Sequence, residues 1–153
     1  MESPKATTAA ILERDGRVLL TRRAIPPFQG RWCIPGGHIE RGEKVEDAIR
    51  REVKEETNLD FQTQFFGFYE EIFPEIQWHA VVLVFYGLPQ GEVKPDHEVS
   101  EWKWVSPQEF GKFSPLAFGH DRALEDWLKL RKTKASDGQH LKGHTQPAGG
   151  IRA

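Results

Sequence analysis

Residues 37–59 read GHIERGEKVEDAIRREVKEETNL. Within them, Lys44 to Thr57 contains neither glycine nor proline and repeats its apolar residues at helical spacing, which predicts a helix. With Glu52 set at zero and about 100° taken per residue, Ala48, Val45, Ile49 and Val53 define an inward face running from about −40° to about 100°. Glu56, at about 40°, falls inside that stripe, and Glu55, at about −60°, flanks it. Arg50, Lys54, Glu46 and Asp47 take the opposite, solvent side. Carboxylates aimed at a core are costly unless something pairs with them, and acids at i, i+3 and i+4 repel one another. A divalent cation such as Mg2+ or Mn2+ resolves both problems, because it takes hard oxygen ligands and supplies the missing charge. The same run also reads as a solvated acidic patch with Arg50, Arg51 and Lys54 as partners.

The flanks bear on that choice. Gly36-Gly37 precedes the helix, followed by Glu40, Gly42 and Glu43. Glycines there are expected to let the backbone turn sharply and bring a carbonyl to the metal. Glu43 suits the positive end of the helix dipole and is within reach of Arg51.

Further out, Ala6 to Arg23 reads as a β-hairpin turning at Arg14-Asp15-Gly16. Ala24 to Gly37 is expected to be loop with a short strand at Trp32 to Ile34. Phe61 to Glu71 alternates loosely as a strand. WHAVVLVFYGL, residues 78–88, reads as a central strand buried on both faces. Pro89 to Val99 is a polar loop, Trp102 to Val105 a short strand, and Ser106-Pro107 starts a turn. Asp121 to Leu130 reads as a second helix with Leu124, Trp127 and Leu128 on one side. Strands and helices in this order predict an α+β fold, an α/β/α sandwich around a mixed sheet. The domain is expected over residues 1–130, with 131–153 a polar, Gly-containing tail that is loose in solution.

Composition narrows the function classes. The 153 residues are 38% hydrophobic and 29% charged, with a net charge of −2, as expected for one globular domain. That balance argues against a dedicated nucleic-acid or membrane-surface binder. One cysteine, Cys33, leaves no disulfide framework and no multi-cysteine zinc knuckle. The first residues, MESPKATTAA, carry no long apolar run, so a cytoplasmic protein is the expectation.

The motif resembles the Nudix box, G-x(5)-E-x(7)-R-E-U-x-E-E-x-G-U with U aliphatic. Gly37, Glu43, Arg51, Glu52, Val53, Glu55, Glu56 and Leu59 all match. Asn58 stands where the family has glycine, and asparagine tolerates the left-handed conformation that a helix C-terminus needs. The likeness extends to Trp32, Pro35-Gly36-Gly37 and Trp104-Val105-Ser106. It implies a Nudix fold and hydrolysis of a nucleoside diphosphate linked to a second group. It further implies a divalent metal held by Glu52, Glu55, Glu56 and the Gly37 carbonyl. Arg51 would serve the reaction by holding Glu43 and orienting the cluster rather than by touching substrate. In many relatives a glutamate in the loop after the central strands acts as base. Glu98 and Glu101 are the candidates here, and Glu98 is the first choice.

Two short features resemble ADP-ribose pyrophosphatases: Pro74, fifteen residues past Leu59, and SPLAFGH at residues 114–120. They favour ADP-ribose, cleaved to AMP and ribose 5-phosphate, over a MutT-like release of pyrophosphate from a nucleoside triphosphate. A non-catalytic nucleotide-binding module of the same fold has no need for the intact glutamates. Phe28, Trp32, Phe73 and Trp78 are candidate stacking residues, and Arg22 and Arg23 candidate phosphate contacts. Relatives of this kind are commonly homodimers, and the apolar hairpin edge could serve as such an interface, an analogy that leaves the oligomeric state open.

Overall fold

The structure is a computed structural model and describes residues 2–137. Two long hydrophobic strands form its centre. Strand β1 (Lys5–Arg14) turns at Asp15-Gly16, both in the left-handed region (φ 53° and 78°), into β2 (Arg17–Arg23). This is the turn chemistry that Asp-Gly supplies. β3 (Trp32–Cys33) and β4 (Gly36–His38) follow, then helix α1 (Val45–Thr57), β5 (Gln64–Phe73), β6 (Trp78–Gly87), β7 (Val99–Val105) and helix α2 (Asp121–Asp137). The strands form one mixed sheet in the order β3-β2-β1-β6-β5, with β4 added to β1 and β7 to β2. β1 runs parallel to β6 from Lys5 opposite Ala80 to Leu12 opposite Gly87, and the other pairs are antiparallel.

Because side chains alternate along a strand, β1 feeds two cores. Ala9 and Ile11 join Val82, Val84, Leu124 and Trp127 under α2, while Ala10 and Leu12 join Ile49, Val53, Leu59 and Phe85 under α1. One helix layer therefore covers each face, and the α+β sandwich read from the sequence is the architecture observed. β6 lies between β1 and β5 as a central strand.

α1 buries Ala48, Ile49, Val53 and Glu56 and exposes Glu46, Asp47, Arg50 and Lys54, in agreement with its helical periodicity. It ends at Asn58, whose φ is 70° and whose N–H donates to the Lys54 carbonyl at 2.9 Å. Several boundaries differ from expectation, among them β5, which runs from Gln64 to Phe73 rather than from Phe61 to Glu71. The Gly36-Gly37 segment is the strand β4 rather than loop, because it pairs with Thr8 and Ala9 of β1. β7 begins at Val99, where it meets Arg23 across a bulge. α2 continues past the expected end at Leu130 to Asp137. Arg131 pairs with Glu13 at 3.2 Å and lies 4.6 Å from the Trp127 ring, which ties the added turn to the body. Residues 138–153 of the expected tail lie outside the described residues. Among the described residues, no helix is long and apolar enough to cross a membrane.

Ile49 is fully buried at the α1–sheet contact, so Ile49→Ala should cost about 2–5 kcal/mol in urea unfolding. Arg50→Ala, which removes the exposed pair with Asp47 and a long exposed contact to the Thr63 hydroxyl, should cost no more than about 1 kcal/mol.

Candidate active site

The inward face of α1 cannot be filled by aliphatic residues alone, because Glu52 and Glu56 continue its stripe. Both carboxylates meet β4, and the fold makes room by placing glycine opposite them. A Cβ on Gly37 would fall inside the Glu52 carboxylate, and one on Gly36 would fall on the Thr8 carbonyl of β1. Neither glycine has a positive φ, so they act here by lacking a side chain rather than by turning the chain. The Gly36 N–H donates to Glu56 Oε1 at 3.2 Å, and the Thr8 hydroxyl donates to the Gly37 carbonyl at 3.1 Å. A carbonyl oxygen has two lone pairs, so one remains for a further partner.

Arg51 organises the rim. Its Nε and Nη2 donate to the two oxygens of Glu43, at 2.8 and 3.1 Å. Nη1 reaches Glu52 at 3.1 Å and Glu55 at 3.2 Å, and Nη2 also reaches the His38 carbonyl at 3.0 Å. A guanidinium has five N–H donors, and all five are engaged. Arg51 therefore positions carboxylates and has no donor left for a ligand. Its hydrogen bonds hold the Glu43 carboxyl below the usual range.

The carboxylates facing inward behave in the opposite way. Burial raises Glu52 to about 7 despite the Arg51 contact, with Glu55 and Glu98 adding repulsion. Burial, then the charge of Glu52, pushes Glu56 well above the ordinary carboxylate value, and the Gly36 N–H offsets only part of this. Such a set of oxygens is short of positive charge, which suits a hard divalent cation. Among the described residues, no three His, Cys, Asp or Glu side chains already converge on one metal position.

These groups open on a cavity of about 270 Å³ lined by Gly36, Gly37, Glu52, Glu55, Glu56 and Glu98, and further by Arg23, Glu71, Trp78, Phe118 and His120. Cys33 also lines it, but burial and the Glu56 charge push its thiol up to about 11, which leaves it unreactive as a nucleophile. Phe118 takes φ 59° and Phe28 takes φ 60°, a conformation costly for bulky side chains. The two rings meet edge to face at 5.0 Å, and the Arg23 guanidinium lies 4.8 Å from the Phe118 ring.

The expected substrate contacts divide on this geometry. Gly37, Glu52, Glu55, Glu56 and Glu98 all reach the cavity, and Glu101 does not: it pairs with Arg22 at 2.7 Å on the outer side of β7. Arg22 and Trp32 face away from the cavity, contrary to expectation. They are directly paired across β2 and β3, whereas the neighbouring pair, Thr21 and Cys33, faces in, so one strand parity excludes both. Arg23, one residue on, supplies the cavity's arginine. Phe28 stands behind Phe118 rather than in the lining. Pro74 begins a short 3-10 turn between β5 and β6 and does not line the cavity. Glu71 and His120 were not among the expected site residues. The signal for Glu71 was its place on β5 at the same parity as buried Tyr69, where an apolar residue is expected.

The NUDIX domain matches residues 2–127. An ADP-ribose pyrophosphatase of Methanocaldococcus jannaschii is 32% identical over 84% of this chain and 75% of its own length. A CTP pyrophosphohydrolase of Escherichia coli is likewise 32% identical, over 84% of this chain and 95% of its own. The crystal structure of a MutT protein from Methanosarcina mazei Go1 superposes with a TM-score of 0.70 at 26% identity, over 79% of this chain and 91% of that one.

Two outcomes follow from the geometry. Arg51→Lys keeps the charge but not the five-donor fork, and should cost about 1–3 kcal/mol in urea unfolding. Glu71 has a folded pKa of about 7 against an ordinary 4.5, raised by burial and lowered in part by Trp78 and Arg122. The folded state thus holds its proton more tightly, and the stability Glu71 contributes at low pH is lost as pH rises through that window. Unfolding measured from pH 4 to 8 should therefore show Glu71→Gln gaining on the wild type between about pH 4.5 and 7.

Proposed function

The chain belongs to the Nudix family of hydrolases, and from that premise we propose a divalent-metal-dependent pyrophosphohydrolase that cleaves ADP-ribose to AMP and ribose 5-phosphate. The observation that carries this reading is the pair of under-neutralised carboxylates, Glu56 buried and Glu52 partly buried, facing a cavity across a side-chain-free strand. Glu52, Glu56, Glu55 and the Gly37 carbonyl would hold Mg2+ or Mn2+. When bound, the cation supplies charge neutralisation at the pyrophosphate oxygens and an acidified water.

The chain's own residues do the rest. Arg51 fixes Glu52 and Glu55 against β4. Glu98, which faces the same cavity and is half exposed, is the proposed base for the attacking water. Arg23, held by the Pro26 and Pro27 carbonyls, offers positive charge to the substrate's phosphates. ADP-ribose leads because the segment SPLAFGH contributes Phe118 and His120 to the lining, and because of the M. jannaschii relative. The E. coli relative, equally identical, supports a nucleoside triphosphate such as CTP as the second reading.

A substrate panel with Mg2+, read by chromatography of the products, separates the two. AMP plus ribose 5-phosphate as the fastest reaction is the expected result, and pyrophosphate released from a triphosphate would replace ADP-ribose while keeping the site. Glu52→Gln and Glu56→Gln should each lose at least about 100-fold in kcat with unchanged circular dichroism. Glu98→Gln should lose about 10²–10⁴-fold, whereas Glu101→Gln should stay within about threefold of wild type.

A further inference from the structure

Glu71 and His120 form a second polar group in the same cavity, and none of the chemistry above uses them. Glu71 is 3% exposed and His120 7%. One Glu71 oxygen, Oε1, accepts the indole N–H of Trp78 at 3.0 Å. The other, Oε2, has His120 Nε2 at 3.7 Å, beyond hydrogen-bond distance, and takes no hydrogen bond from the described residues. Glu71 lines the cavity, and a carboxylate oxygen placed there is able to accept from a ligand.

The partner beside it has a defined character. The backbone N–H of Ile34 donates to His120 Nδ1 at 3.2 Å, so the neutral ring carries its proton on Nε2. Burial lowers the His120 pKa to about 3, which keeps the ring neutral. The cavity thus presents one acceptor, Glu71 Oε2, next to one donor, His120 Nε2–H. Its adjoining walls are aromatic: the Phe118 ring lies 5.2 Å from Trp78 and 5.6 Å from His120. Flat aromatic walls around an adjacent acceptor and donor match a nitrogen heterocycle edge-on, rather than a sugar. Adenine and cytosine each carry an amino N–H next to a bare ring nitrogen, the complement of that pair.

We propose that Glu71 is the residue that reads the substrate's base, accepting an amino N–H of adenine or cytosine through Oε2 while His120 Nε2–H donates to the neighbouring ring nitrogen. The assignment deepens the reading of this site as nucleotide-hydrolysing and rests on it for the identity of the ligand. Glu71 is a specificity residue and takes no part in bond breaking. In Glu71→Gln the single amide oxygen is claimed by the Trp78 N–H, which turns the NH2 toward the cavity. The variant therefore replaces an acceptor by a donor at the same place, with little change of shape.

The test is equilibrium binding by isothermal titration calorimetry, in Mg2+, of AMP and of purine riboside 5′-monophosphate, which differs only in lacking the 6-amino group. The wild type should bind AMP about tenfold more tightly, and Glu71→Gln should abolish or reverse that ratio. A purely structural role for Glu71 would weaken both ligands alike. Equal binding of the two by the wild type, or an unchanged ratio in Glu71→Gln, would overturn the proposal. Binding needs no turnover, so the two readings fail separately. If no substrate in the panel is hydrolysed but the AMP preference is present and sensitive to Glu71, the hydrolase reading falls and this one stands.

Discussion

Two carboxylates on the buried face of a helix are the constraint around which this structure is arranged. Glu52 and Glu56 sit where the periodicity of α1 calls for aliphatic side chains, and burying charge there is tolerated only because the surroundings are adapted to it. The strand they face carries no side chain at Gly36 or Gly37. The Gly36 amide donates to Glu56. On the open side, Arg51 spreads five donors over Glu43, Glu52, Glu55 and the His38 carbonyl. Positive charge thus reaches the rim of the cluster, while its buried side is left short of it. That imbalance is one a hard divalent cation would relieve, and it sets the cluster apart from a self-satisfied ion-pair network.

The other region of the cavity is built on a different principle. Its walls are rings, and Phe118, with Phe28 behind it, sits on backbone that bulky residues avoid. They are held there by each other, by Phe73, Trp78 and His120, and by the guanidinium groups of Arg23 and Arg31. A rigid aromatic surface costs little conformational entropy when a flat ligand docks on it. One cavity therefore joins a carboxylate group suited to metal and phosphate with an aromatic and polar group suited to a heterocycle. A nucleotide carries both chemistries in one molecule.

Much of this could be read before the fold was known, and the misplaced strand residues share one cause. The α1 wheel placed Glu52 and Glu56 inward, and Asn58 adopts the left-handed turn expected of it. Arg22 and Trp32 were drawn toward the site by residue type, yet strand parity turns both outward, and Arg23 takes the inward place. Local pattern does not determine which side of a short, irregularly bordered strand faces a cavity. That depends on its register with β1 and β7. The extension of α2 past Leu130 has the same origin, since the polar stretch is held by Arg131 reaching Glu13 on a distant strand.

What the sequence by itself determined was local and periodic. The hairpin turn, the amphipathic helix, the acid-bearing stripe and the motif spacing depend on neighbours a few residues apart, and those relations survive in any packing. Tertiary structure alone decided which groups share the cavity. Glu71 from β5, His120 from the segment before α2, Arg23 from β2 and Glu98 from the loop before β7 are far apart in the chain. They meet because β1 and β6 pair in parallel at the centre of the sheet and bring the remaining elements around them. The charge state of each group follows from that meeting, because the burial and neighbours that shift a pKa exist only once the chain has folded.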